Sequence, residues 1–115
     1  MSVHVFVYDD RLDSADAVQE SVCAATVQGT LFDLEGVGAA LLLSGQDRVA
    51  GEVRRVSPDA LDTLDTSAGV QEGLYRRVGV QVGSTPCWTW VAGPALAPLL
   101  VPERRVRQGR REEAS

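Results

Sequence analysis

Strand periodicity, broken at short intervals by glycine and proline, sets the limits on what this chain can fold into. Val3 to Tyr8 alternates, with Val3, Val5 and Val7 on one face and His4, Phe6 and Tyr8 on the other. Both faces are partly apolar, as expected of a strand in a small closed or half-closed barrel. Similar runs predict strands at Val27–Leu34, Ala39–Leu43, Val49–Val56, Tyr75–Val82 and Cys87–Val91. Gly36, Gly38 and Gly45 fall between the first of these and permit the turns that other residues resist. Two helical signals interrupt the pattern. From Ser14, SADAVQESVCAA offers a Ser cap, an early Asp16, and Val18, Val22 and Ala25 at helical spacing. In SPDAL, Ser57 can cap, Pro58 suits the first helical position and Asp59 faces the positive end of the dipole. Leu61 and Leu64 supply the buried stripe of that second helix, and Gly69 its stop. Pro94, Pro98 and Pro102 each remove a backbone donor and end regular structure. Mostly strands with two short helices predict an α+β fold with a small, mixed, barrel-like sheet.

At 115 residues the chain is long enough for one core and too short for two. We divide it into a domain over residues 1–102 and an Arg/Glu-rich tail over 103–115. The tail holds five Arg and three Glu, so it carries +2 and the body -7 of the net -5. An acidic body excludes a nucleic-acid platform, which needs a basic face. Interspersed Glu residues read the tail as a solvated end rather than a docking arm for an acidic partner. No apolar run approaches the roughly 18 residues of a membrane span, and the start lacks the layout of a secretory signal. The expected location is the cytoplasm. Cys23 and Cys87 are too few for a disulfide framework, lack metal spacing and read as reduced thiols. A Cys-His nucleophile pair would need His4, the only histidine, and the sequence gives no third group to orient it.

Six strings in order carry a family resemblance: HVFVY at His4–Tyr8, VQGTLFDL at Val27–Leu34, VAGEV at Val49–Val53, LDTLD at Leu61–Asp65, YRRVGVQV at Tyr75–Val82 and WTWV at Trp88–Val91. In this order they resemble the gamma-glutamylcyclotransferase-like (AIG2-like) family over about the first four fifths of the chain. The family writes the segment beginning at Leu64 as Leu-Asp, two residues, Glu-Gly, a spacer and Tyr-Arg-Arg. Here LDTSAGVQEGLYRR puts Ala68 where the glutamate should be. The resemblance implies a barrel-mouth cavity, formed by the loop after the first strand and the loop after the second helix. It also implies a reaction: release of 5-oxoproline from gamma-glutamyl compounds, as the substrate's α-amine attacks its side-chain amide.

That reaction needs one carboxylate with a pKa near neutrality, to take a proton from the amine and give one to the leaving nitrogen. It also needs donors for the oxyanion, which the resemblance assigns to backbone amides after the first-strand Tyr. Ala68 cannot exchange a proton. After Tyr8, Asp9, Asp10 and Arg11 replace the family's Gly-Ser/Thr-Leu, which removes a glycine and brings two carboxylates towards any bound anion. Such repulsion is on the order of 1–4 kcal/mol per close pair, and Arg11 offsets part of it. Tyr8, Asp9, Asp10, Arg11, Ala68 and Tyr75 are therefore the expected ligand-binding positions. Glu72, four residues beyond Ala68, and Glu52, with Arg54 two residues on, are the fallback acids. Set against those roles, Glu72 reads as a solvated loop residue and Glu52 as half of a strand-face ion pair.

Other features are weaker. Asp9, Asp10 and Asp13 could hold a divalent cation, but DDRLD lacks the glycine and closing Glu of a calcium loop and reads as an exposed turn; no metal or cofactor is expected. The same acidic mouth could favour a cationic ligand such as a polyamine. Trp88 and Trp90 share a strand face and could stack on a ligand, although two rings at period two favour a core role. Arg76 and Arg77 alternate faces, so at most one looks into the cavity. Three functional readings follow. The first is a catalytically degenerate family member that keeps a cavity for a small gamma-glutamyl or amino-acid-like ligand and acts by binding or interaction. The second is an active cyclotransferase using Glu72 or Glu52, and the third an assembly domain with a collapsed pocket. Neither a nucleic-acid nor a membrane partner is expected, and the state is monomer or homodimer.

Overall fold

The computed structural model of the chain describes residues 2–9 and 19–106. In chain order these form β1 (Val3–Val7), β2 (Gln19–Leu34), β3 (Gly38–Val56), α1 (Ala60–Ala68), β4 (Tyr75–Val82), β5 (Thr85–Ala92), two 3-10 turns (Ala97–Leu99 and Pro102–Arg104) and β6 (Arg105–Val106). The strands make one six-stranded sheet in the order β4-β5-β1-β3-β2-β6. β1 and β5 run parallel and the other neighbours antiparallel, so the sheet is mixed and the fold is α+β. β4 and β6 are its two ends, and no hydrogen-bonded pairing joins them into a closed barrel among the described residues.

The sheet nevertheless has two buried faces, and β1 shows why. Val5 and Val7 enter one apolar cluster with Leu64, Ala68, Tyr75 and Trp90, while Phe6 enters another with Val27, Leu41, Val53, Cys87 and Val91. The first cluster is closed by α1. Every fully buried member of the second comes from a strand, which requires the sheet to coil over itself; the right-handed twist of long strands supplies that curvature. The coiling is concentrated in the β2–β3 hairpin, whose register jumps between Gly29, opposite Asp47, and Thr30, opposite Leu42. The extra residues between Leu42 and Asp47 form a bulge around Gly45 (φ 97°), and Thr30 Oγ1 donates to Ser44 O at 2.7 Å. The two strands predicted at Ala39–Leu43 and Val49–Val56 are thus one bent strand.

The helix predicted over residues 14–25 is corrected. Residues 14–18 lie outside the described set, and Gln19–Ala25 is strand, paired from Gln19↔Val56 to Ala25↔Gly51. Helical spacing of Val18, Val22 and Ala25 loses to the backbone partners that β3 provides, since strand preference is decided by pairing and packing more than by local sequence. The described residues therefore contain one α-helix. It starts at Ala60, with Asp59 at the N-cap and no side-chain cap bond, so neither Ser57 nor Pro58 takes the position expected of it; Ser57 O instead accepts the Ala60 N–H at 3.0 Å. The stop at Gly69 is as read: φ is 74°, and the Gly69 and Val70 amides return to Thr66 O and Asp65 O, both at 3.1 Å. Ala60, Leu64 and Ala68, one turn apart, are the fully buried face of α1, with Leu61 partly buried beside them. In the segment read as a tail, Arg105 and Val106 pair with Phe32 and Leu31, and Arg105 Nη2 meets Asp47 Oδ2 at 2.8 Å.

Close packing of β1 on β3 yields a test. A Cβ on Gly51 would lie 2.6 Å from both Phe6 Cζ and the Val7 carbonyl oxygen, whereas one on Gly79 would meet nothing within 4 Å. Gly51→Ala should lower unfolding stability by about 1–3 kcal/mol. Gly79→Ala should stay within about 0.5 kcal/mol of the native protein; paired denaturant melts read both.

Candidate functional site

Four of the expected positions gather at the far end of β1. Tyr8, directly after the strand, donates its hydroxyl to Trp90 O on β5 at 2.5 Å and packs against the cluster that holds Ala68, Tyr75 and Trp90. Tyr75, the first residue of β4 and only 2% exposed, donates its hydroxyl to Ala39 O at 2.6 Å. Asp9 accepts the Ala39 N–H on Oδ2 at 2.7 Å, so the two sides of one residue of β3 are held by two of the candidate side chains. Ala68, the last residue of α1, is fully buried and brings only a methyl group to the cluster. Burial first, and then the neighbouring Tyr75, push the Tyr8 phenol well above its usual pKa of 10.0, and a backbone bond from Leu41 opposes this only in part. Tyr8 is therefore a neutral donor at physiological pH. Asp10, Arg11 and Asp13 lie outside the described residues, and the cation and polyamine readings with them.

Of the fallback acids, Glu72 lies in the turn beyond α1 and Glu52 on β3 beside the Tyr8 end of β1. Glu72 is exposed in the turn after α1, where its N–H bonds Gly69 O at 3.2 Å. It lines a cleft of about 250 Å³ with Asp62, Asp65, Thr66, Val70 and Gln71, of which Val70 packs against the tyrosine cluster and Asp65 accepts the Trp90 N–H. Glu52 sits on β3 opposite Val7 and accepts Arg54 Nε on Oε1 at 2.6 Å. Hydrogen bonds from Arg54, then from Ser21, hold its carboxyl below the usual 4.5. A proton shuttle needs the opposite shift, towards neutrality.

Trp90 and Trp88 separate. Trp90 is fully buried, as the core reading expects, but Trp88 is 38% exposed, which corrects that reading for the first ring. Asp65 of α1 serves Trp90: the indole Nε1–H donates to Asp65 Oδ1 at 2.8 Å. Arg77 Nε approaches the same oxygen at 3.4 Å, and its guanidinium lies over the Trp88 ring, 4.8 Å from the centroid. Arg76 is exposed. Asp65 is the residue that reading the sequence missed. Its signal was present, because an Asp four residues after Leu61 shares the inward face of the helix, and a buried indole N–H needs an acceptor.

The family model described as gamma-glutamyl cyclotransferase, AIG2-like, matches residues 5–110. Three solved structures share the fold. One described as a gamma-glutamyl cyclotransferase superposes with a TM-score of 0.66 at 21% identity, covering 80% of this chain and 67% of that one. An uncharacterized protein from Pyrococcus horikoshii gives 0.68 at 16% identity over 97% and 92% of the two chains. An AIG2-like protein from Mus musculus gives 0.64 at 20% over 90% and 82%. Comparison with curated proteins yields no significant match. The mixed α+β sheet shared with these structures gives the fold class, and the match over residues 5–110 shows that the chain belongs to the gamma-glutamyl cyclotransferase, AIG2-like family.

Two outcomes follow from the bonding at this end of the sheet. Asp65→Ala leaves the Trp90 N–H buried without its acceptor and should cost about 1–3 kcal/mol in a denaturant melt, while Asp65→Asn, which keeps an acceptor oxygen, should cost less. The raised Tyr8 pKa means that the folded state holds its proton more tightly than the unfolded chain. This contribution is complete below the unfolded value of about 10 and is lost as pH rises past it. Melts between neutral pH and strong alkali should therefore show a smaller alkaline loss in Tyr8→Phe than in the native protein.

Proposed function

We propose that this protein is a cyclotransferase-family member without cyclotransferase chemistry, acting in the cytoplasm by binding or interaction. One observation carries the reading: the position that the resemblance assigns to the proton-shuttling glutamate is Ala68, a buried methyl group packed with Tyr75 and Trp90. The neighbouring acids support it. Glu72 faces a different cleft, and Glu52 is ion-paired with a lowered pKa. The tyrosine hydroxyls donate to backbone carbonyls rather than standing ready to accept a proton. On this reading the ligand is a small gamma-glutamyl or amino-acid-like compound received beside Tyr8 and Tyr75, and the protein is a monomer or homodimer. The two free thiols, Cys23 and Cys87, fit a reducing compartment.

A second reading, an active enzyme with a displaced acid, has one observation in its favour. Asp9 brings a carboxylate to the tyrosine cluster itself, though Oδ2 is engaged by the Ala39 N–H. An assay of 5-oxoproline release from several gamma-glutamyl amino acids and amines separates the two. We expect no release above the buffer rate. Turnover that disappears in Asp9→Asn, Glu52→Gln or Glu72→Gln overturns the first reading.

Ala68→Glu tests the site from the other side. A carboxyl in that apolar cluster should take a raised pKa and lower stability by roughly 2–4 kcal/mol at neutral pH. Because the folded state then binds the proton more tightly, the deficit should grow as pH rises from about 4 and shrink in acid. Thermal melts of native and variant protein across that range measure it.

A further inference from the structure

We propose that this protein carries a second ligand site at the opposite end of β1 from Tyr8: a cleft walled by Trp88 and floored by Gly79 that takes a flat aromatic ring of neutral or negative charge. The proposal is independent of the functional reading above. The cleft measures about 370 Å³ and is lined by the start of β1, including Val3 and His4, and by Gly79, Cys87 and Trp88. That volume falls within the range of small-molecule sites. Three residues of β1, Val5 to Val7, separate its His4 rim from Tyr8, about 13 Å of extended chain.

Three observations build the site. First, β1 and β5 share the single register pair Val5↔Trp88, and on the cleft side Pro86 has no N–H with which to extend the ladder. Second, Trp88 stands directly opposite Gly79, the usual arrangement for a ring to fold across the glycine, yet a Cβ at Gly79 would meet nothing within 4 Å. The indole leans away and leaves the glycine face open as a floor. Third, the ring is held in that posture before any ligand arrives, by Arg77 over it at 4.8 Å and by Asp65, which anchors Arg77 at 3.4 Å. An aromatic wall already fixed loses little conformational freedom on binding.

Charge selects among rings. No acidic side chain is among the described lining residues, and the Arg77 guanidinium sits against the indole wall. The acids on this side of the sheet, Asp62, Asp65 and Glu72, line the separate cleft beside α1. With no carboxylate in the lining, a cationic ring would give up hydration without gaining a counter-charge, whereas a neutral ring would not and an anionic one would face the cationic member of the Arg77–Asp65 pair across the indole. Ser2 and His4 supply polar groups at the rim for a ring substituent.

Titration of the 15N-labelled protein with benzoate, benzyl alcohol, benzylamine and cyclohexanecarboxylate tests the site by amide and indole N–H shifts. Benzoate and benzyl alcohol should move the Trp88 indole and Gly79 amide signals saturably, with dissociation constants in the millimolar range or tighter, and leave the buried Trp90 indole in place. Benzylamine and cyclohexanecarboxylate should bind at least about tenfold more weakly, a difference of about 1.4 kcal/mol. Gly79→Leu, whose side chain enters open space, should keep the native spectrum elsewhere and abolish the shifts. Should that variant not fold, Gly79→Ala places a methyl in the same space and should weaken binding. Absence of saturable shifts in the native protein, or native-strength binding to the folded Gly79 variant, overturns the site. Equal binding of benzylamine or of the non-aromatic acid overturns the ligand class.

Discussion

The indole of Trp90 is the constraint around which the rest is arranged. Fully burying so large a ring stabilises the fold only if its N–H finds a partner, since an unsatisfied buried donor costs about 1–3 kcal/mol. Asp65 provides that partner from α1, and its own charge is steadied by Arg77 from β4. The backbone carbonyl of the same tryptophan accepts the Tyr8 hydroxyl from the end of β1. Four elements thus meet at one residue of β5.

That meeting point compensates for the weakest joint in the sheet. The parallel β1–β5 contact has a single residue pair in register, too little to hold two strands by ladder bonds alone. Side chains make up the difference. Thr89, fully buried, donates to Phe6 O at 2.9 Å, and Tyr8 reaches Trp90 O one residue further along. The Leu-Asp dipeptide at Leu64–Asp65 then has a structural purpose separate from chemistry: Leu64 fills the core and Asp65 fastens the helix to the sheet.

The same joint separates the two ends of β1 in character. At the Tyr8 end, hydroxyls and the Asp9 carboxylate are bound to backbone groups of β3 and β5, which leaves a compact, internally satisfied cluster. At the Val3 end Pro86 cannot extend the ladder, and the Trp88 ring stays in contact with solvent. Whatever the protein binds, these ends offer different physical environments: one polar and self-bonded, the other apolar, open and bordered by a cation.

Periodicity within the chain was enough to establish the order of strands, the alternating faces of β1 and the helix ending at Gly69. Each of these depends on neighbours in sequence: side-chain period or a glycine's access to φ > 0. The ordered strings were enough to establish the family. Pairing decided the remainder. Gln19–Ala25 has helical spacing but becomes strand because β3 supplies its hydrogen-bond partners, and Ala39–Leu43 joins Val49–Val56 because the bulge at Gly45 lets one strand bend rather than stop. Trp88 and Trp90, indistinguishable by period, take opposite fates: Asp65 of α1 bonds the buried indole of one, while Arg77 of β4 lies over the half-exposed ring of the other. Where Glu52 and Glu72 point was likewise beyond local reading, since a carboxylate's use depends on which distant groups the tertiary fold brings within about 3 Å of it.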